Sequence, residues 1–352
     1  MKAFPSPSFW KGRRVLVTGH TGYKGAWLSY WLASMGAELH GIALEPAHQT
    51  LFAKASLNTL FRSSRYQDIL EAEAFQQHVR RLQPEVVFHL AGVAIVSEAE
   101  AQPERAFAVN CGGTQSLLET LPFLNSLKAA VFITTDKVYG GTTPAEGFGE
   151  EHSFNPHGVY ATSKAEADLR IQRWKRHYPL GMKVAIARAG NCIGGGDITH
   201  GRLIPDILWA SLSREPLLIR NLHAVRPWQH VLEPLRGYLL MAEALMSERL
   251  PRSIEAINFG PGAAGETSVK EVLELMGRMG LTPEVVTLEQ NLLPDEHILR
   301  LSITRATETL NWYPRLTLSD TLELAVAFQK SFFHSDQLGV QEMEAELRRY
   351  YS

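Results

Sequence analysis

From Arg14 to about Arg188 the chain alternates short β-branched runs with amphipathic stretches. The runs Arg14–Thr18, Leu39–Leu44, Arg65–Gln67, Val86–Leu90, Ala130–Thr134 and Val184–Arg188 predict strands. Between them, apolar residues recur at three- and four-residue steps over Ala26–Met35, Pro103–Leu121 and Tyr160–Trp174, the period of helices that cover a core. A repeated β-α-β-α order predicts an α/β chain with a doubly wound parallel sheet. Beyond Arg188 the pattern turns to Asn191-Cys192-Ile193-Gly194-Gly195-Gly196-Asp197 and then to shorter, less regular elements. A smaller C-terminal lobe is expected to begin there, giving one domain over residues 1–190, with a return to it near 228–260, and a second lobe mainly over 191–352. The polar, helical-looking tail from Ser335 to Ser352 reads as a surface segment.

Length supports the two-lobed division, because 352 residues exceed what one hydrophobic core usually serves. A formal net charge of -2 gives no electrostatic reason to expect nucleic acid or an anionic membrane as partner. The two cysteines, Cys111 and Cys192, lack the close pairing of zinc sites and read as small buried side chains, so no metal is expected. Met1–Trp10 has no apolar run of signal-peptide length, and no later segment offers about 18 uninterrupted apolar residues, so a cytoplasmic location is the expectation.

Chemistry enters at Gly19-His20-Thr21-Gly22-Tyr23-Lys24-Gly25, which follows the strand Val15-Leu16-Val17 and leads into a helical pattern. Glycine is needed there for a tight turn, for close approach of backbone to a pyrophosphate and for close packing of helix on strand. The helix N-terminus then offers its N–H groups to the anion. Spacing and context together predict a dinucleotide site on a Rossmann-like sheet. The acidic residue that usually grips the adenosine ribose is displaced to Glu45, and no arginine stands nearby to receive a 2′-phosphate, so NAD is expected rather than NADP. Asp68-Ile69, after the third strand, suits an adenine contact.

Tyr160-Ala161-Thr162-Ser163-Lys164 puts a phenol and an ammonium on one helical face. A nearby cation favours the phenolate and is expected to lower the tyrosine toward the range of a general base. Thr134-Thr135-Asp136-Lys137 ends an apolar strand at the carboxyl edge of the sheet, where ligands of open α/β sheets bind. Thr135 suits a hydrogen bond to a sugar oxygen, Asp136 protonation of a leaving hydroxyl, and Lys137 removal of a carbon-bound proton. Lysine is a poor base while charged, so Lys137 fits that role only inside a closed pocket.

These residues resemble the extended short-chain dehydrogenase/reductase family, and within it the 4,6-dehydratases of CDP-linked hexoses. The resemblance runs over nearly the whole chain. It is most specific at Phe9-Trp10-Lys11-Gly12, the glycine turn, Thr135-Asp136-Lys137, Arg188-Ala189-Gly190-Asn191, Gly194-Gly195-Gly196-Asp197, Arg202-Leu203-Ile204-Pro205-Asp206 and Arg226-Pro227-Trp228-Gln229-His230-Val231-Leu232-Glu233-Pro234. It implies further cofactor contacts at Leu90, Ala91 and Asn110. It also implies a nucleotide-sugar substrate, CDP-hexose favoured, held at Asn191, Arg202, Arg226 and His297, and a homodimer or higher homo-oligomer paired through the helices at Pro103–Leu121 and Tyr160–Trp174. Lysine at position 137, where dTDP-glucose dehydratases usually carry glutamate, is what the CDP-sugar group looks like. The chain departs from the family at Ala91-Gly92-Val93-Ala94-Ile95-Val96-Ser97, which lacks the usual glutamine and arginine. An epimerase, or a dehydratase of another nucleotide sugar, is therefore the alternative. A silent dinucleotide-binding sensor fits less well, because Tyr160 and Lys164 are both present.

Overall fold

Seven strands form one parallel sheet in the computed structural model, which describes residues 3–177, 183–219, 221–251, 255–262, 265–287, 299–335 and 339–352. They are β1 (Arg14–Thr18), β2 (Glu38–Ala43), β3 (Phe61–Tyr66), β4 (Val86–His89), β5 (Ala129–Ile133), β6 (Val184–Ala189) and β7 (Ala256–Phe259), in the order β7-β6-β5-β4-β1-β2-β3. Every neighbouring pair in this sheet is parallel. Successive side chains go to opposite faces: Val15, Val17, Phe88 and Val131 join one core, Leu16, Val87, Phe132 and Ile186 the other. Both faces are covered, so the central strands read as nearly unbroken apolar runs.

Three helices fix the elements that matter below: α1 (Tyr23–Ser34), α2 (Gly158–His177) and α3 (Leu232–Met246). α1 and α3 pack on the first face through Trp27, Trp31, Leu235 and Leu239, and α2 packs on the second through Ile171. A separate cluster around Ile204, Ile207, Trp228, Val272 and Leu322 builds the remainder of the C-terminal half.

Three segments differ from the sequence reading. β3 begins at Phe61, ahead of the run Arg65–Gln67, because an edge strand needs little apolar surface: Ser63 and Ser64 instead hydrogen-bond His40 Nδ1 and His20 Nε2 at 2.7 and 2.8 Å. The single helix expected over Pro103–Leu121 is broken by a widened π-type turn, Ala108–Gly113, between Pro103–Phe107 and Thr114–Thr120. Gly112 and Gly113 hold a helix weakly, and Ile69 Cδ1 lies 2.2 Å from where a Gly113 Cβ would stand. The tail is not a surface segment: Val340–Tyr351 is a helix that buries Met343, Glu346, Leu347 and Tyr350, one helical stripe, against the first face.

Candidate active site

β1 delivers the chain to Thr18, whose hydroxyl bonds His89 Nδ1 at 2.7 Å and accepts from the Ala91 amide at 3.3 Å, tying β1 to the end of β4. The next residue, Gly19, turns with φ +74°, and a Cβ on it would stand 2.7 Å from the Ala91 nitrogen. A Cβ on Gly25 would stand 2.1 Å from the Gly19 carbonyl, so α1 can approach β1 this closely only with glycine there. Gly22 caps α1 without a side-chain bond, leaving the first-turn amides for an anion. This cradle of glycine backbone fits a dinucleotide diphosphate. His20 does not offer its ring to the loop: it is fully buried between Phe52 and Phe61, and Gly41 leaves room for it, so only the His20 backbone belongs to the turn. Thr21 bonds the Leu44 carbonyl at 3.0 Å.

Behind the turn, Leu90 donates its amide to the Thr18 carbonyl at 3.1 Å. Asn110, in the π-type turn, grips the following loop by accepting from Val93 N–H at 2.9 Å and donating to the Val93 carbonyl at 3.3 Å and to Ser163 Oγ at 2.9 Å. Such widened turns collect at functional sites. Gly92 is small because a Cβ there would meet Asn110 Oδ1 at 2.7 Å and Lys164 Nζ at 2.8 Å. The Asp68 carboxylate is shared between the Leu70 amide and Arg105, each at 3.0 Å. Ile69 is buried against Gly113.

Beyond β5, Thr135 donates to Asp136 Oδ1 at 3.0 Å and interacts with the Tyr160 phenol. Gly190, at the end of β6, admits Asp136 Oδ2 to within 2.8 Å of its absent Cβ. Burial lifts the Asp136 carboxyl above the usual range, against the pull of Lys137, Thr135 and Lys24. Lys137 is half-buried beside it. Tyr160 runs against the sequence argument: burial raises its phenol, outweighing the Thr135 hydrogen bond and the Lys24 charge that pull it down. Burial, with Lys24 nearby, brings Lys164 down to about 8.

Lys24 follows in the first turn of α1. Its charge is among those acting on Tyr160, Asp136 and Lys164. Burial works against its charge, but the thiol and phenols around it more than offset that and hold it above the ordinary lysine value. Tyr23 likewise points inward, toward Asp197, Glu346 and Cys192, and burial drives its phenol strongly up. Cys111 is the buried small side chain expected, whereas Cys192 stands beside Lys24.

Arg202 pairs with the buried Asp197 at 3.0 Å, Asn191 is exposed just beyond Gly190, and Arg226 lies on a short strand, Val225–Pro227, paired with Glu266–Ser268. His297 lies outside the described residues. Two supports lie outside the expected site residues. Asp168 on α2 takes both nitrogens of a fork from Arg188 on β6 at 2.9 Å, plus the Thr134 hydroxyl at 2.9 Å, all without exposure to solvent beyond 7%. Glu100 Oε1 accepts the Val159 amide at 2.7 Å, at the start of α2. Among the described residues there is no cluster of three or more metal-ligating side chains and no helix long and apolar enough to cross a membrane.

A glycine cradle on a parallel sheet, with a tyrosine and a lysine one helical turn apart beside it, defines a dinucleotide-dependent enzyme of the extended short-chain dehydrogenase/reductase type. The profile of the NAD dependent epimerase/dehydratase family matches residues 15–256, and the chain belongs to that family. It is 37% identical over 340 residues to the CDP-glucose 4,6-dehydratase of Salmonella typhimurium, with 94% of each chain covered. The fold is shared with the UDP-glucose 4-epimerase of Thermotoga maritima solved with UDP-glucose, at TM-score 0.77 and 24% identity over 91% of this chain and 99% of that one. It is shared also with the UDP-glucose 4-epimerase of Brucella ovis solved with NAD, at TM-score 0.78 and 21% identity over 90% and 98%.

Proposed function

We propose that the chain removes water from a nucleotide-linked hexose, with CDP-glucose the expected substrate, and yields the 4-keto-6-deoxy sugar. The observation that carries this reading is a buried carboxyl, Asp136, held toward its protonated form within one hydroxyl of the Tyr160 phenol. A general acid needs a proton to give, and burial moves the Asp136 carboxyl in that direction.

Tyr160 takes the proton of the 4-hydroxyl while Thr135 holds that oxygen. With carbon 4 a ketone, the hydrogen on carbon 5 becomes acidic, and Lys137 removes it as Asp136 protonates the 6-hydroxyl, which leaves as water with a carbon 5–carbon 6 double bond. Lys137 returns the proton to carbon 5 when carbon 6 receives hydride. The nicotinamide supplies an acceptor for the hydride of carbon 4 and a donor to carbon 6, so the cofactor ends each turnover unchanged. Asn191, Arg202 and Arg226 hold the diphosphate, whose oxygens match the guanidinium fork.

An epimerase needs Tyr160 and Lys164 but neither Asp136 nor Lys137, so that pair favours dehydration. The departure at Ala91–Ser97 favours, as a second reading, a dehydratase acting on a different nucleotide sugar. Incubation with CDP-glucose, followed by alkali, tests the first: the ultraviolet absorbance of a 4-keto-6-deoxy product is expected, and its absence, with turnover of another nucleotide sugar, moves the assignment to the second. Tyr160→Phe should lower kcat by about 10²–10⁴ while sparing NAD binding.

A further inference from the structure

Asp168 follows Tyr160 and Lys164 on α2 at the same four-residue step, so all three lie on one helical face. Its carboxylate is fully buried, and four donors converge on it. Arg188 of β6 supplies a fork, Nε and Nη2 at 2.9 Å each, the Thr134 hydroxyl donates at 2.9 Å and Gln172 Nε2 at 2.8 Å. An ionised carboxylate has about four lone-pair sites, so none is left for a substrate.

The third nitrogen of the guanidinium leads back to the same stretch of chain. Arg188 Nη1 donates to the Tyr139 hydroxyl at 2.6 Å, and that hydroxyl donates to Asn258 Oδ1 of β7 at 3.2 Å. The Tyr139 ring is buried and stacked on Phe148, with centroids 5.2 Å apart. Thr134 and Tyr139 are the two residues that bracket Thr135, Asp136, Lys137 and Val138. β6 adds backbone support: the Ala187 carbonyl accepts the Thr134 amide at 2.9 Å, and Gly190, just past its end, leaves room for the Asp136 carboxylate. One buried ion pair therefore holds both ends of residues 135–138, and its carboxylate belongs to the helix face that carries Tyr160 and Lys164.

Resting on the reading of Asp136 and Lys137 as the acid and base of elimination, we propose that Asp168 and Arg188 are positioning residues for that step: the pair fixes residues 135–138 against the Tyr160 and Lys164 face of α2, so that one hexose meets both. A buried ion pair often gains no stability over apolar residues of similar volume, which leaves the placement of its neighbours as what this pair contributes. The consequence is a split between the two halves of the reaction. Oxidation at carbon 4 takes its base from α2 and only a hydrogen bond from Thr135, whereas elimination takes both acid and base from the tethered residues. Loosening the tethers therefore slows elimination more than oxidation.

The test compares wild type with the double variant Asp168→Leu with Arg188→Met and with Thr134→Val, Thr134→Ser and Tyr139→Phe, using CDP-glucose. The double variant removes both tethers and strands no charge, so Tm and directly measured NAD affinity should stay near wild type while kcat falls about 10- to 100-fold. In a single turnover the absorbance of reduced cofactor should accumulate, because oxidation outruns elimination. Thr134→Val and Tyr139→Phe each cut one tether and should show the same accumulation with a smaller loss of kcat, about threefold to tenfold. They decide the matter where the double variant does not fold. Thr134→Ser keeps the hydroxyl and should behave as wild type. Wild-type kcat in the double variant, or in both single variants, overturns the proposal. A loss of activity that merely follows Tm, or that falls equally on oxidation and elimination, overturns it too. Wild-type protein that forms no 4-keto-6-deoxy product from any nucleotide sugar is a different failure, that of the functional reading, and the proposal falls with it.

Discussion

The two sides of the proposed site are built from different materials. The cofactor side is backbone: Gly19 and Gly25 are there for what they lack, a Cβ that would stand 2.7 Å from Ala91 N or 2.1 Å from the Gly19 carbonyl. The proposed sugar side is side chain: Thr135 and Asp136 follow β5, Tyr160 and Lys164 sit on α2, Asn191 follows β6 and Arg202 caps the helix Leu203–Ser213. A backbone site is fixed by one local turn. A side-chain site depends on the packing of every element that contributes, so its geometry is held from beneath by networks such as Asp168–Arg188.

The largest effect that tests this contrast is expected there. Asp168→Ala strands the Arg188 guanidinium, 1% exposed, and should cost about 3–5 kcal/mol in urea or thermal unfolding. Replacing both partners by apolar residues, Asp168→Leu with Arg188→Met, should cost much less, because no buried charge is then unpaired. Equal losses in the single and double variants would mean that the pair is not what joins α2 to β6.

On the cofactor side, Gly25→Ala should cost about 1–3 kcal/mol and abolish measurable NAD binding, since the added methyl meets backbone rather than a movable side chain. Gly22→Ala is the control: its nearest atom would be 3.4 Å away and its φ is -73°, so both stability and affinity should hold. If the two variants behave alike, steric fit of the turn is not the controlling factor.

The same contrast explains what the sequence disclosed. The glycine turn, five of the six predicted strands within a residue or two, and the α2 pair Tyr160–Lys164 were legible because each follows from local spacing. β3 was misplaced because an edge strand is polar, and β7 was not recognised as a strand although a return to the sheet near 228–260 was expected. Spacing says nothing about groups that approach a side chain from far along the chain, such as the Thr135 hydroxyl and the Lys24 charge that act on Tyr160. For the same reason the phenol was expected low. Its burial depends on tertiary packing, and burial outweighs the neighbouring charge.

A smaller effect, opposite in sign for fold and function, is expected at Asp136. Its folded value lies above the unfolded one, mainly through burial, so the protonated carboxyl is the one the fold favours. The stability it contributes is fully present below the unfolded value and is lost as pH rises through the folded value. Asp136→Asn should therefore raise Tm at neutral pH, with the gain vanishing in acid, while dehydration stops. A Tm that falls at neutral pH would show that Lys137 and Lys24 need the carboxylate more than burial opposes it.

The smallest expected effect lies at Glu100, at the rim of the loop that departs from the family. Its carboxylate accepts the Val159 amide at 2.7 Å, at the helix end where the dipole favours negative charge, so it steadies the turn that carries Tyr160. Glu100→Ala should cost about 0.3–1 kcal/mol, less at high salt, and should lower kcat rather than NAD affinity, because α2 contributes side chains and the cofactor turn is made elsewhere. Glu100→Gln should fall between, keeping the hydrogen bond and losing the charge. If Glu100→Ala instead weakens NAD and leaves kcat alone, the two sides of the proposed site are not built independently, and the division between a backbone site and a side-chain site does not hold.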